Sequence, residues 1–162
     1  MRFITEAMID QVAAQVNQSD EAYALAMEAM QAAQPILFAY PFTENFEAFT
    51  EEERAYLLYL MVMIWKTVDT YAEPAVADEQ VLSELEETNW SVIHGNKGGT
   101  FRTRLDPFFE GYPQEDLLAF AEDALTQDEA EEGPIVSREG QEALFVTLKT
   151  IIDCLVGYRP AG

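Results

Sequence analysis

Four bases stand within eleven residues that hold no acid: His94, Lys97, Arg102 and Arg104. They form the one local positive patch in an otherwise anionic chain. Gly95-Asn96-Lys97-Gly98-Gly99-Thr100 runs through the patch. Backbone N–H groups of a Gly-rich turn can make an anion-binding nest. One expected chemistry is therefore retention of a small anionic ligand, or docking of an acidic segment. A plainer expectation competes with it: the bases pair with the surplus acids around them. The loop lacks the spacing of a P-loop and follows a helical pattern rather than a strand, so it is no nucleotide fingerprint. Beside it lie Phe101, Phe108, Phe109 and Tyr112, in a stretch broken by Pro107 and Gly111. Such an interruption leaves these four rings as candidate apolar anchors for a partner; the competing expectation is a satellite core under a loop.

Other chemistry is poorly supplied. A single histidine, with no Glu-x-x-His anywhere, cannot build the di-iron centre of a helical bundle. Zinc sites made from Cys and His are equally out of reach. Asp128-Glu129-Ala130-Glu131-Glu132 lacks the alternation and central glycine of an EF-hand loop and reads as a solvated acidic loop. Any Ser–His or Cys–His pair would have to use His94. That residue closes a helical stretch, where an imidazolium suits the C-terminal dipole. Cys154 sits among aliphatic residues, which predicts a buried and inert thiol. Carboxylates are too many for a catalytic pair to be singled out. No metal or cofactor is expected.

The 162 residues carry thirty acids and nine Lys or Arg, for a net charge of -21. From Phe3 to Glu53 there are ten acids and no Lys or Arg; from Glu115 to Glu132 there are eight and none. A field of that sign argues against direct nucleic-acid binding, which needs phosphate neutralisation. The longest apolar run, Ala55 to Trp65, is eleven residues, against about 20 for a membrane span. No signal-peptide pattern opens the chain, and a lone cysteine suits a reducing, cytoplasmic setting.

Helical periodicity supplies the elements that must position these groups. Met8, Ile9, Val12 and Val16 make one stripe; after Ser19, Tyr23, Ala26, Met27 and Met30 make another. Thr50-Glu51-Glu52-Glu53 is a capping box, opening a helix over about 50–71. Its run from Ala55 to Trp65 is apolar on every face, so protein is expected all round it. Leu58, Met61, Ile64 and Trp65 are expected to be almost fully buried. Asp78 caps a helix through Ile93. Two short turns are expected around Pro107, then helices from Pro113 and from Ser137. No segment alternates with period two. The chain reads as one all-α domain, 1–162, a bundle of six to eight helices with the 50–71 helix central. Apolar positions after the caps Thr50 and Ser137 coincide, a faint sign of two halves divided near 72–78.

The functional expectation is a non-enzymatic interaction module whose acidic faces engage a basic protein partner. The alternative is a ligand- or anion-binding regulatory domain that uses the 94–104 loop. An enzyme would have little beyond carboxylates to work with.

Overall fold

The structure is a computed structural model describing residues 1–43, 47–96, 98–126 and 136–160. Eight α-helices account for most of them: α1 (Glu6–Val16), α2 (Asp20–Ala33), α3 (Pro35–Ala39), α4 (Glu51–Tyr71), α5 (Glu79–Gly95), α6 (Phe101–Phe109), α7 (Glu115–Leu125) and α8 (Arg138–Val156). A 3-10 turn, Tyr40–Phe42, follows α3, and no strand occurs among the described residues. The chain is thus an all-α bundle. No described helix is long and apolar enough to cross a membrane.

Helices α4 and α8 lie side by side and run parallel. Their N-termini meet through one carboxylate. Glu53 Oε1 accepts the backbone N–H of Thr50 at 3.0 Å, and the Thr50 hydroxyl accepts that of Glu53, which completes the expected capping box. Glu53 Oε2 accepts the N–H of Ser137 at 3.2 Å and its hydroxyl at 3.1 Å. In an ordinary capping box the third helical residue reaches back to its own cap. In α8 that position is Gly140, and Glu53 of the neighbouring helix does the work instead. A Cβ on Gly140 would sit 2.2 Å from Glu53 Oε2. At the far ends the N–H of Ala75, just beyond α4, donates to Leu155 O of α8 at 2.9 Å.

Of the two, α8 is the more enclosed. Every residue from Leu144 to Leu155 is buried, with α4, α5 and α7 packed around it. Helix α4 departs from expectation in its first half. Ala55 is exposed, and Tyr56, Leu58 and Tyr59 are only half-buried; continuous burial begins at Leu60 and runs to Trp65. Leu58 is therefore corrected to a partly covered position, while Met61, Ile64 and Trp65 are in the core. Tyr56 and Tyr59 stay half-buried because their side of the early α4 faces an open groove between α1 and α7 rather than another helix; Leu58 does not line that groove.

Helix α6 is a second correction. It is one helix rather than two turns, although Pro107 lies inside it. Proline removes the N–H that would bond the carbonyl four residues back. Here that carbonyl, Thr103 O, accepts instead from Asn96 Nδ2 at 3.3 Å. Two glutamines pin the extended segments. Gln114 accepts from the N–H of Ile4 and donates to Arg2 O, both at 2.9 Å. Gln34 spans the α4–α5 connection, donating to Ala75 O and accepting from the N–H of Ala77.

Candidate functional site

Two places in the bundle bring aromatic rings and carboxylates together. The first is the groove of about 470 Å³ between α1, α4 and α7. Its floor comes from the exposed side of α4 and from α7: Tyr56, Tyr59, Leu60, Met63 and Phe120. Tyr56 and Tyr59 stand one turn apart with their rings stacked, centroids 6.4 Å apart at 10°. Tyr23 of α2 extends the row, 5.7 Å from Tyr59. The hydroxyls are anchored away from the rings' faces, Tyr56 donating to Ala124 O and Tyr59 to Asn17 Oδ1, each at 2.8 Å. Burial, with a neighbouring phenol second, raises the pKa of Tyr56 and of Tyr23, so both stay protonated donors.

The rim of this groove is acidic on both sides. Glu6 and Asp10 stand one turn apart on α1; Asp116 and Asp123 stand two turns apart on α7. None of the described lining residues is basic. Asp116 also accepts the N–H of Glu6 at 2.9 Å, fixing the α1 terminus to α7. From outside the groove Arg102 reaches Asp123 at 3.6 Å. Among the described residues no ion pair reaches Glu6, Asp10 or Asp116.

The second place is interior. Lys149 and Asp153 are an i,i+4 pair on α8, both buried. Lys149 Nζ donates to both Asp153 oxygens, at 2.9 and 2.8 Å, and to Asn89 Oδ1 of α5 at 3.3 Å. Those bonds use all three ammonium protons. Asp153 also accepts from the Tyr112 hydroxyl at 2.5 Å and from Asn89 Nδ2 at 3.1 Å. Rings of Tyr112, Tyr158 and Phe108 surround the ammonium, with centroids at 4.6, 4.9 and 5.6 Å. This is an aromatic cage for a cation, and the cation is the chain's own. Burial lowers the Lys149 pKa and raises that of Asp153, in each case against the pull of the partner charge. Burial first, and then the Asp153 charge, hold the Tyr112 phenol well above its ordinary value. A cavity of about 80 Å³ touches this cage beneath α5 and Pro160, too small for a substrate of ordinary size. The cage joins α5, α8 and the segments after α6 and α8 into one unit.

The residues singled out in the sequence fall differently from expectation. Phe108 and Tyr112 are buried, 5% and 6% exposed, as walls of the cage. They are corrected from surface anchors to core, because Lys149 draws both rings inward and Phe108 also packs on Phe145 at 5.4 Å. Phe101 and Phe109 are half-buried against the same core, Phe101 edge-on to Phe145. Two of the four bases of the basic patch face acids. Arg102 donates to Glu122 at 2.5 Å and to Thr126 at 2.7 Å. Arg104 pairs with Glu142 and donates to Asn96 O and Ile93 O, covering carbonyls at the end of α5. His94 is exposed, its ring 5.3 Å from that of Trp90. Lys97 lies outside the described residues. The thiol of Cys154 is buried and pushed up to about 12 by that burial, as expected of an inert cysteine.

Neither aromatic–acidic site was visible as a motif. The groove gathers residues from α1, α4 and α7, and no local pattern links them. The cage did leave a trace, a Lys–Asp pair at i,i+4 inside the apolar run of α8. Compared with family models, with curated proteins and with solved structures, the chain matches none.

Proposed function

We propose that this protein is a non-enzymatic interaction module that engages a basic protein partner. The observation that carries the reading is the groove: an apolar, aromatic floor whose charged lining residues, among those described, are all carboxylates. An apolar floor supplies the desolvated contact that affinity needs. The rim, together with a net charge of -21, supplies steering and selects against acidic surfaces. The loop at 94–104 does not favour the anion-binding alternative, since Arg102 and Arg104 already face acids. The same reading places the chain in the cytoplasm, where an unpaired buried cysteine is ordinary.

The test is kinetic. Proteins retained by the immobilised chain at low salt are purified individually, and association rates are measured from low to physiological salt. The expected result is a basic partner whose on-rate falls steeply while its off-rate changes little. Retention only of neutral or acidic proteins, with on-rates indifferent to salt, overturns the reading.

A further inference from the structure

Resting on that reading, the geometry points to the group that the α1–α4–α7 groove takes: arginine side chains of an amphipathic helix on the partner. Three observations converge on it.

The first is the comparison the molecule itself offers. Where rings and a carboxylate meet inside the fold, a cation sits among them: Lys149, within 4.6–5.6 Å of three ring centroids and bonded to Asp153. The groove has the same ingredients, the stacked Tyr56 and Tyr59 with Phe120 and four carboxylates, and no cation among its lining residues. Arg102 reaches only Asp123, from outside the groove; among the described residues no cation pairs with Glu6, Asp10 or Asp116, and their complement comes from a partner.

The second is the choice of cation. The Lys149 cage is buried, so water cannot compete for its ammonium. The groove opens to solvent, where a strongly hydrated ammonium gains little from a ring. Guanidinium is more weakly hydrated, stacks flat on aromatic faces and binds carboxylates through two parallel hydrogen bonds. Arginine is therefore favoured over lysine here.

The third is the spacing of the rim. Glu6 and Asp10 are four residues apart on a helix, a rise of about 6 Å, and Asp116 and Asp123 are seven apart, about 10.5 Å. A partner helix lying along the groove repeats side chains at those same intervals. An extended strand repeats one face at about 6.8 and 13.6 Å, which misses the α7 spacing. Small residues, Ala13, Ala119 and Ala124, line the groove and leave room for the inserted side chains.

The experiment uses the full chain and a fluorescein-labelled amphipathic helical peptide with arginines flanking a leucine stripe. Matched peptides replace every arginine with lysine or with neutral citrulline. The arginine peptide should bind several-fold tighter than the lysine peptide, and citrulline should lose at least about tenfold, the scale of a lost cation–π and ion-pair contact. Ala119→Arg, which sets a cation into the groove from within, should weaken the arginine peptide about tenfold or more. Leu25→Arg makes the same charge change on exposed α2 and should alter binding less than about twofold. Asp10→Asn with Asp123→Asn provides a second groove variant should Ala119→Arg fail to fold. Equal losses from the groove variants and from Leu25→Arg, or equal binding of arginine and citrulline peptides, overturn the inference while leaving a basic partner elsewhere on the surface. Failure of both cationic peptides to bind at low salt, with the salt-steered partner of the preceding experiment also absent, overturns the reading beneath it.

Discussion

The cage around Lys149 and the groove over Tyr56 and Tyr59 are made from the same kinds of residue and behave as opposites. In the cage every polar atom of Lys149 and Asp153 has a partner inside the chain. Its charges are cut off from water, so their value lies in holding helices in place. In the groove Glu6 and Asp10 are exposed, and Tyr56, Tyr59 and Phe120 are only half-buried. The fold makes little use of the Glu6 and Asp10 side chains, and so those two are available to something else. Burial separates an acid that maintains the structure from an acid that recognises a partner, and the separation can be measured.

The largest effect should come from emptying the cage. Lys149→Met leaves Asp153 buried without its counter-charge, and thermal or denaturant unfolding should show a loss of about 3–5 kcal/mol. Adding Asp153→Asn removes the stranded charge while keeping an acceptor for Tyr112 or Asn89. The double variant should be more stable than Lys149→Met alone. A double variant that is less stable would mean that Asp153 finds compensation without Lys149, and the cage would then be no unit.

An intermediate effect lies in pH. The pKa of Asp153 is raised by burial even with Lys149 present, above about 4 in the unfolded chain. The folded state thus holds that proton more tightly, and acidification favours folding at this site. Removing Lys149 takes away a cation that lowers this pKa, so it climbs further. The deficit of Lys149→Met against the parent should be complete above the raised pKa and shrink as pH falls toward about 4. A deficit that is constant from pH 7 to 4 would locate the damage in lost packing rather than in the charge.

The smallest effect should come from the groove. Asp10→Asn should change stability by no more than about 0.5 kcal/mol, as for an exposed surface change. Relief of self-repulsion in so acidic a chain pushes it to the favourable side. A loss approaching that of Lys149→Met would erase the distinction between the two regions.

The sequence could be read for whatever is local. Thr50-Glu51-Glu52-Glu53 announced its helix and Ser137 another, because a cap is written within four residues. The inward faces of α7 and α8 followed from their spacing: Leu117, Leu118, Ala121 and Leu125, and Leu144, Phe145, Leu148, Ile151, Ile152 and Leu155, are in the core. What failed involved distant partners. Pro107 looked like a break because Asn96, which relieves it, belongs to the preceding loop. Phe108 and Tyr112 looked exposed because Lys149, which draws them in, lies on the last helix. Tyr56 and Tyr59 looked buried because an unbroken apolar run does not reveal which neighbour is missing beside it. The basic patch was visible as a cluster of like charge, but the pairing of Arg102 with Glu122 and of Arg104 with Glu142 required the bundle to be assembled.

Glu53 serves the first turns of two helices at once, and that ties the fate of a distant glycine to it. Taken alone, glycine inside a helix is a weakness, and alanine in its place is worth about 1 kcal/mol. At position 140 the new methyl would meet a carboxylate oxygen at 2.2 Å and its carbon at 3.2 Å. That carboxylate is held by Thr50 and Ser137 and cannot swing away without releasing both. Gly140→Ala is therefore harmful while Glu53 remains; shortening Glu53 to alanine removes that clash and leaves a milder one, with the Ser137 hydroxyl oxygen at 3.1 Å. The cost of the same mutation thus depends on its background. Positions 53 and 140, far apart in the chain, are therefore energetically coupled, and a double-mutant cycle over Glu53→Ala and Gly140→Ala should show it.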